Sequence, residues 1–316
     1  MAEASPTTAG QHLGLNRRRN KRSVGENAIK VLLAAAAVIS VVTTTGIVIA
    51  LARDTIEFFR EVGVGEYLFG TTWAPLAGGG QQSFGVVPLI YDTLYLTFVG
   101  LLLAIPLGLG SAIYLSEYAS ARARRLLKPA LEVLAGIPTI VFGFFALTFV
   151  GPELLRTLLK VDVGTFSALS AGLVLGILVL PTVATVADDA LSAVPGSLRE
   201  GAFGLGASRM QVSLRVVFPA ALSGIVAALV LGASRAIGET VIILVAGGAV
   251  ANLTADPREP MQNMAAFIAQ TAQADIPTQG TEYNTIFAVG TTLFVITLLL
   301  NLISIRFVRK YRQVYE

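Results

Sequence analysis

Six apolar runs, each long enough to cross a bilayer, constrain this chain more than any other feature: about residues 28–52, 88–115, 129–150, 166–187, 220–250 and 285–307. A helix needs about 20 apolar residues to span a hydrocarbon core, and helices and closed barrels are the only structures that satisfy their own backbone hydrogen bonds there. With 54% hydrophobic and 14% charged residues, the chain is far too apolar for a soluble domain of 316 residues. The fold class that follows is an all-α membrane protein with six transmembrane helices.

Basic residues next to spans stay on the cytoplasmic side. With the N-terminus inside, the cytoplasmic segments hold 17 of the 23 Lys and Arg residues, including the runs Arg17–Arg22, Arg122–Lys128 and Arg306–Arg312. Both termini are therefore expected in the cytoplasm, with residues 1–24 a disordered basic tail and residues 25–316 the transmembrane domain. The run after that tail has about 25 apolar residues and no persuasive cleavage site, which favours an uncleaved first helix over a signal peptide.

Several chemistries are excluded by composition. There is no cysteine, so disulfides and thiolate metal sites are absent, and the single histidine, His12, lies in the tail. None of the five lysines follows a glycine, so there is no P-loop. With no paired acids inside the spans either, an intramembrane enzyme has little support. The chain is expected to catalyse nothing and to bind no cofactor of its own.

Residues 190–219 form a moderately polar stretch between two apolar runs. Glu200 to Leu222 reads EGAFGLGASRMQVSLRVVFPAAL, two short helical pieces broken at Gly206 and ended by Pro219 where the chain turns apolar. Such a segment lies along the membrane surface, on the cytoplasmic side by the charge count. The spacing of Glu200, Ala202, Gly206, Val216, Phe218 and Pro219 resembles the EAA loop of bacterial ABC importer permeases, with Gly201 in place of the second-position alanine. Ala207 and Arg209 fall in the same loop. The resemblance implies that this loop docks on a separate ATPase, which binds ATP and magnesium and drives transport.

The run LVLGASRAIGETVIILVAGG places Arg235 and Glu239 four residues apart and therefore on the same face of a helix. Arg235 lies roughly 22 Å along the fifth run, counted from Ala220 at 1.5 Å per residue. A lone arginine at that depth costs about 3 kcal/mol on insertion scales. Either the pair is a packing device, of small net benefit after desolvation, or the guanidinium offers a fork to an oxyanion in transit with the glutamate holding it between passages. Ser234 and Thr240 flank the pair, and Thr139, after the Gly136–Pro138 breaker, is a further candidate for the route.

SRAIGET, together with FGTTWAP, LEVLAGIPTIVFG and DDALSAVPGSLREGAFGLGAS, resembles the PstC family of phosphate importer permeases over about residues 25–316. That likeness implies a MetI-like type I importer permease fold in the prokaryotic inner (plasma) membrane. It also implies a PstA-like sister permease, a PstB-like ATPase dimer and an external PstS-like phosphate-binding protein, and no nucleic acid. Another oxyanion as cargo (sulfate, molybdate or phosphonate) stays open, as does an ion-coupled secondary carrier, though the latter has no use for the coupling loop.

Residues 53–87 and 251–284 are the outer loops, where Tyr67, Leu68, Phe69 and Trp73 are expected at the membrane interface or on a docking surface for the binding protein. Asp92 and Glu132 are expected to face water or pair locally, and Asp188 and Asp189, at the cytoplasmic end of the fourth span, have an ion pair with Arg199 or with the ATPase open to them. Pro106 and Pro181 are helix breakers that either pack closely or line a cavity.

Overall fold

The computed structural model describes residues 19–77, 80–277 and 280–311. The expected tail therefore lies outside the described residues as far as position 18, and the first helix, α1, already runs from Arg19 to Glu61. The chain divides between Ala50 and Leu51 into two units. In the first, every side chain from Glu26 to Ala50 is exposed along a strongly apolar helix, a surface suited to lipid.

The second unit begins with the end of α1 and continues through α2 (Val64–Phe69) and a short hairpin of β1 (Trp73–Ala74) and β2 (Ser83–Phe84). The helix α3 (Val87–Ile113) extends as a π-helical turn to Tyr118. After it come α4 (Ala121–Gly136), α5 (Thr139–Phe145) with a π-helical continuation to Leu158, and α6 (Ala168–Ser192). The polar stretch forms α7 (Gly196–Gly204), then α8 (Arg209–Val212), which continues through a π-helical turn into α9 (Phe218–Ala220). Last come α10 (Leu222–Ile237), a π-helical segment Ile243–Gly247, α11 (Met264–Ala272) and α12 (Thr281–Tyr311).

Among the described residues five helices are long and apolar enough to cross a membrane, and the count reaches six when the pair Arg209–Ala220 and Leu222–Ile237, bent by 73°, is taken as one span. With that pair counted once, the six expected from the apolar runs are matched, but two runs are interrupted. The expected span 129–150 is split at Ile137–Pro138, because Pro138 has no N–H to continue the helix and forces the residue before it into extended backbone. The crossing helix there runs over Thr139–Leu158 instead. The expected span 220–250 ends as a regular helix at Ile237, where Gly238 closes it.

The helix α6 is the axis of the core. Small residues let its backbone approach its neighbours, the usual device where the hydrophobic effect gives helices no preference for each other over lipid. A Cβ on Gly176 would lie 2.6 Å from the Gly100 carbonyl of α3. Val183 of α6 fits between two glycines, Gly108 of α3 and Gly232 of α10, and a Cβ on either would come within 2.9 Å of its methyl groups. Gly108 thus serves packing, and α3 runs unbroken through Pro106, as α6 does through Pro181.

The end of the second unit that carries α2 and the hairpin is capped by aromatic packing. Phe58, Tyr67, Trp73, Phe84 and Phe267 meet edge to face and are buried, so Tyr67 and Trp73 are not at a lipid interface; Leu68 and Phe69 are exposed. Burial lifts the Tyr67 phenol above its ordinary value of 10.0, while its hydrogen bond with Thr292 opposes the shift. Asp92, expected to face water or pair locally, is instead fully buried. Its Oδ2 accepts from the backbone N–H groups of Asn252 (3.0 Å) and Gln262 (3.1 Å), fastening the loop before α11 to α3.

Candidate functional site

The close approach at Gly232 brings the next turn of α10 against α6. There the Arg235 guanidinium donates from Nη1 to the Thr182 hydroxyl at 2.7 Å. Thr182 follows Pro181 and was not singled out by the sequence, because its partner lies 53 residues away.

The expectation that Arg235 and Glu239 share a helix face does not hold. The helix stops at Ile237, and Glu239 stands at the start of the next segment. Its Oε1 accepts from the N–H groups of Val241 (3.0 Å) and Ile242 (3.2 Å), the bonding of an N-cap. A glycine inside a helix costs about 1 kcal/mol relative to alanine, and here Gly238 gives way because the carboxylate satisfies the N–H groups that the break exposes. Glu239 is 8% exposed, and its carbonyl accepts from Asn263 Nδ2 at 2.7 Å. Asn263 Oδ1 in turn caps α11 through Ala266 N–H at 2.8 Å.

Among the described residues the ion pairs within 4.0 Å are Lys128 with Asp188 and Asp189, Arg199 with Glu117, and Arg258 with Asp256. Arg235 is in none of them. Its charge is half-buried with a single neutral hydroxyl as partner, leaving most of its five N–H donors for something else.

Of the other candidates, Ser234 faces Asn301 of α12 at 3.5 Å, and Thr240 bonds back to the Gly238 carbonyl at 3.3 Å. Thr139 opens α5, whose Gly143 packs on Val245 just beyond the break, but it makes no hydrogen bond with Arg235 or Glu239. Arg235, Ser234, Glu239 and Thr240 therefore stand together around one helix break, with Thr139 on the neighbouring helix.

The second functional element is the loop expected at residues 190–219. It has the anticipated form: α7, a left-handed residue at Gly206 (φ +81°), and α8. Ala207 N–H bonds to the Ala202 carbonyl and Gly206 N–H to that of Phe203, the paired bonds of a Schellman cap. Ser208 and Gln211 then form a capping box for α8. Ala202 and Ala207 pack inward on the cluster of Val212 and Val217, while Glu200, Gly201 and Arg209 point outward with Phe203, Leu205 and Met210. Leu205 is 92% exposed. Pro219 lies just before the bend at Ala221. Of the two partners open to Asp188 and Asp189, Arg199 is not the one used within this chain: Asp188 pairs with Lys128 at 2.6 Å, and Arg199 with Glu117.

A family model described as the inner membrane component of binding-protein-dependent transport systems matches residues 104–313. The chain belongs to this family. It is 32% identical over 300 residues to the probable ABC transporter permease protein YqgH of Bacillus subtilis, covering 94% of each chain. It is 30% identical over 305 residues to the phosphate transport system permease protein PstC of Haemophilus influenzae, covering 91% of this chain and 94% of that one. Among solved structures it superposes on a chain of a bacterial alginate ABC transporter crystallised with its periplasmic protein, with a TM-score of 0.63 at 18% identity over 91% of this chain and 96% of that one. The expected importer-permease fold is the one present. The chain is a transport component of the inner membrane rather than a catalytic subunit, and the family works with a separate substrate-binding protein.

Proposed function

We propose that this chain is the PstC-like half of an ATP-driven phosphate importer. Arg235 lines the route, and α7–α8 is the surface on which a PstB-like ATPase seats. The observation that carries this reading is the half-buried Arg235 guanidinium, which has no carboxylate within 4.0 Å among the described residues. Leaving a charge unpaired in a low-dielectric interior is costly. A site that keeps that cost suits an anion present only in passing, which regains the electrostatic energy through a charge-assisted fork. Similarity to phosphate permeases over most of the chain favours phosphate among oxyanions.

Glu239 has a supporting part in this scheme. By capping the segment after the break it fixes the backbone around Gly238 and keeps its negative charge on N–H groups instead of neutralising Arg235. Ser234, Thr240 and Thr139 supply neutral hydroxyls nearby. The transported ion undergoes no bond making or breaking. ATP and magnesium act in the partner ATPase, a PstA-like permease completes the route, and a PstS-like protein delivers phosphate from outside. Both termini lie in the cytoplasm, on the ATPase side, in keeping with the basic flanks.

The test is uptake of radiolabelled phosphate by proteoliposomes holding this chain with its sister permease, ATPase and binding protein. ATP-dependent uptake that excess sulfate or molybdate does not suppress supports the reading. Sulfate or molybdate carried in place of phosphate assigns another cargo, and uptake without the ATPase overturns the ATP-driven scheme.

A further inference from the structure

Glu200 is the acidic residue of the docking loop, but the residue before it makes the more extensive contacts. Arg199 Nη2 lies 2.9 Å and Nε 3.3 Å from Glu117 Oε1, at the end of the α3 helix. Nη2 donates to the Leu191 carbonyl at 2.8 Å, in the last turn of α6, and Nη1 to the Val194 carbonyl at 2.6 Å, in the connection just after it. One side chain thus ties α7 to the ends of two core helices. Cation and carbonyls suit each other there, because the last carbonyls of a helix have no partner within it and carry partial negative charge.

The Arg199 and Glu117 side chains are 21% and 10% exposed, so this is not a solvated surface pair of small worth. No side chain of α7 is buried, and the connection from α6 to α7 is only Ala193–Pro195. Packing alone therefore holds α7 weakly. The two helices that Arg199 grips, α3 and α6, also carry Gly108 and Val183, the contacts that fix α10 beside Thr182. Lys128 of α4 grips α6 a turn away through Asp188.

We propose that Arg199 is a positioning residue: it makes α7 move as one body with the inner ends of α3 and α6, so that displacement of the docking loop reaches the helices around Arg235. This rests on the reading of α7–α8 as the ATPase-docking loop.

The test variant is Glu117→Gln, which removes one charge and leaves both carbonyl contacts of Arg199 in place. In the reconstituted complex the ATP hydrolysed per phosphate imported rises about 2- to 30-fold, the range over which single residues alter coupling, while the KM for phosphate is unchanged. Amide hydrogen exchange in α7, measured on the permease chain alone in nanodiscs, becomes faster, and Arg199→Lys, which keeps the charge but loses the fork, falls between Glu117→Gln and wild type. A purely structural role lowers ATP hydrolysis and import together, with their ratio fixed, and overturns the proposal. If wild type shows no ATP-dependent import, the docking reading fails, and exchange in α7 still decides the strap: no change in Glu117→Gln overturns it.

Discussion

Two glycines five residues apart in the α7–α8 loop should respond oppositely to the same substitution. Gly206 is held at φ +81°, and a Cβ added there meets nothing within 4 Å. The penalty of Gly206→Ala is therefore one of backbone conformation alone, about 1–2 kcal/mol for an L-residue in the left-handed region. Gly201 lies inside α7 with ordinary helical geometry, also with nothing within 4 Å of its Cβ. Gly201→Ala removes the entropic cost of glycine in a helix, a gain of about 0.5–1 kcal/mol. Since 1.4 kcal/mol is tenfold, local opening of the turn should become about 5- to 30-fold more frequent in Gly206→Ala and about 2- to 5-fold rarer in α7 of Gly201→Ala. Hydrogen exchange on the nanodisc-embedded chain reads both, at the amides of Gly206 and Ala207 for the turn and those of Phe203 to Leu205 for α7. If Gly206→Ala leaves the Ala207 amide as protected as before, the bond to the Ala202 carbonyl does not depend on a left-handed residue, and the description of this turn is wrong.

Further predictions concern the core and the loop before α11. Gly232→Val places a Cβ 2.8 Å from Val183; overpacking of this kind costs about 1–3 kcal/mol, and a lower thermal midpoint of the detergent-solubilised chain is expected. Asp92→Ala strips an acceptor from the Asn252 and Gln262 amides at about 1–3 kcal/mol each, and limited proteolysis should cut residues 249–263 faster. The Arg258 side chain, by its hydrogen bonds, holds the Asp256 carboxyl at about 2, below its usual 3.8. Because the folded value is depressed, its contribution is present above about pH 4 and lost as pH falls toward 2. The protection factor of the Arg258 amide, which bonds Asp256 Oδ1, should therefore be flat from pH 7 to 4 and drop below.

Much of this was legible in the chain. Long apolar runs force membrane crossings whatever their neighbours do, so six were countable from residue type alone. The form of the α7–α8 loop was equally readable, since a break at Gly206 between two short helices is a local matter of a few adjacent residues. The helix break at Gly238 was not. A spacing of four suggests one face, and only the bonds from Val241 and Ile242 to Glu239 tip the balance toward breaking. Asp92, Glu117 and Thr182 were misread or missed for a common reason: their partners lie 160, 82 and 53 residues away, and no local pattern announces them.

The central claim is that Arg235 serves the transported anion rather than the packing of α10. The most direct measurement is ATP-dependent phosphate uptake by the reconstituted complex carrying Arg235→Gln, at an equal amount of folded chain. Glutamine can keep a hydrogen bond to Thr182 and so leaves assembly and binding-protein-stimulated ATP hydrolysis largely intact, while uptake falls to background. Uptake near the wild-type rate would contradict the account and return Arg235 to a structural role.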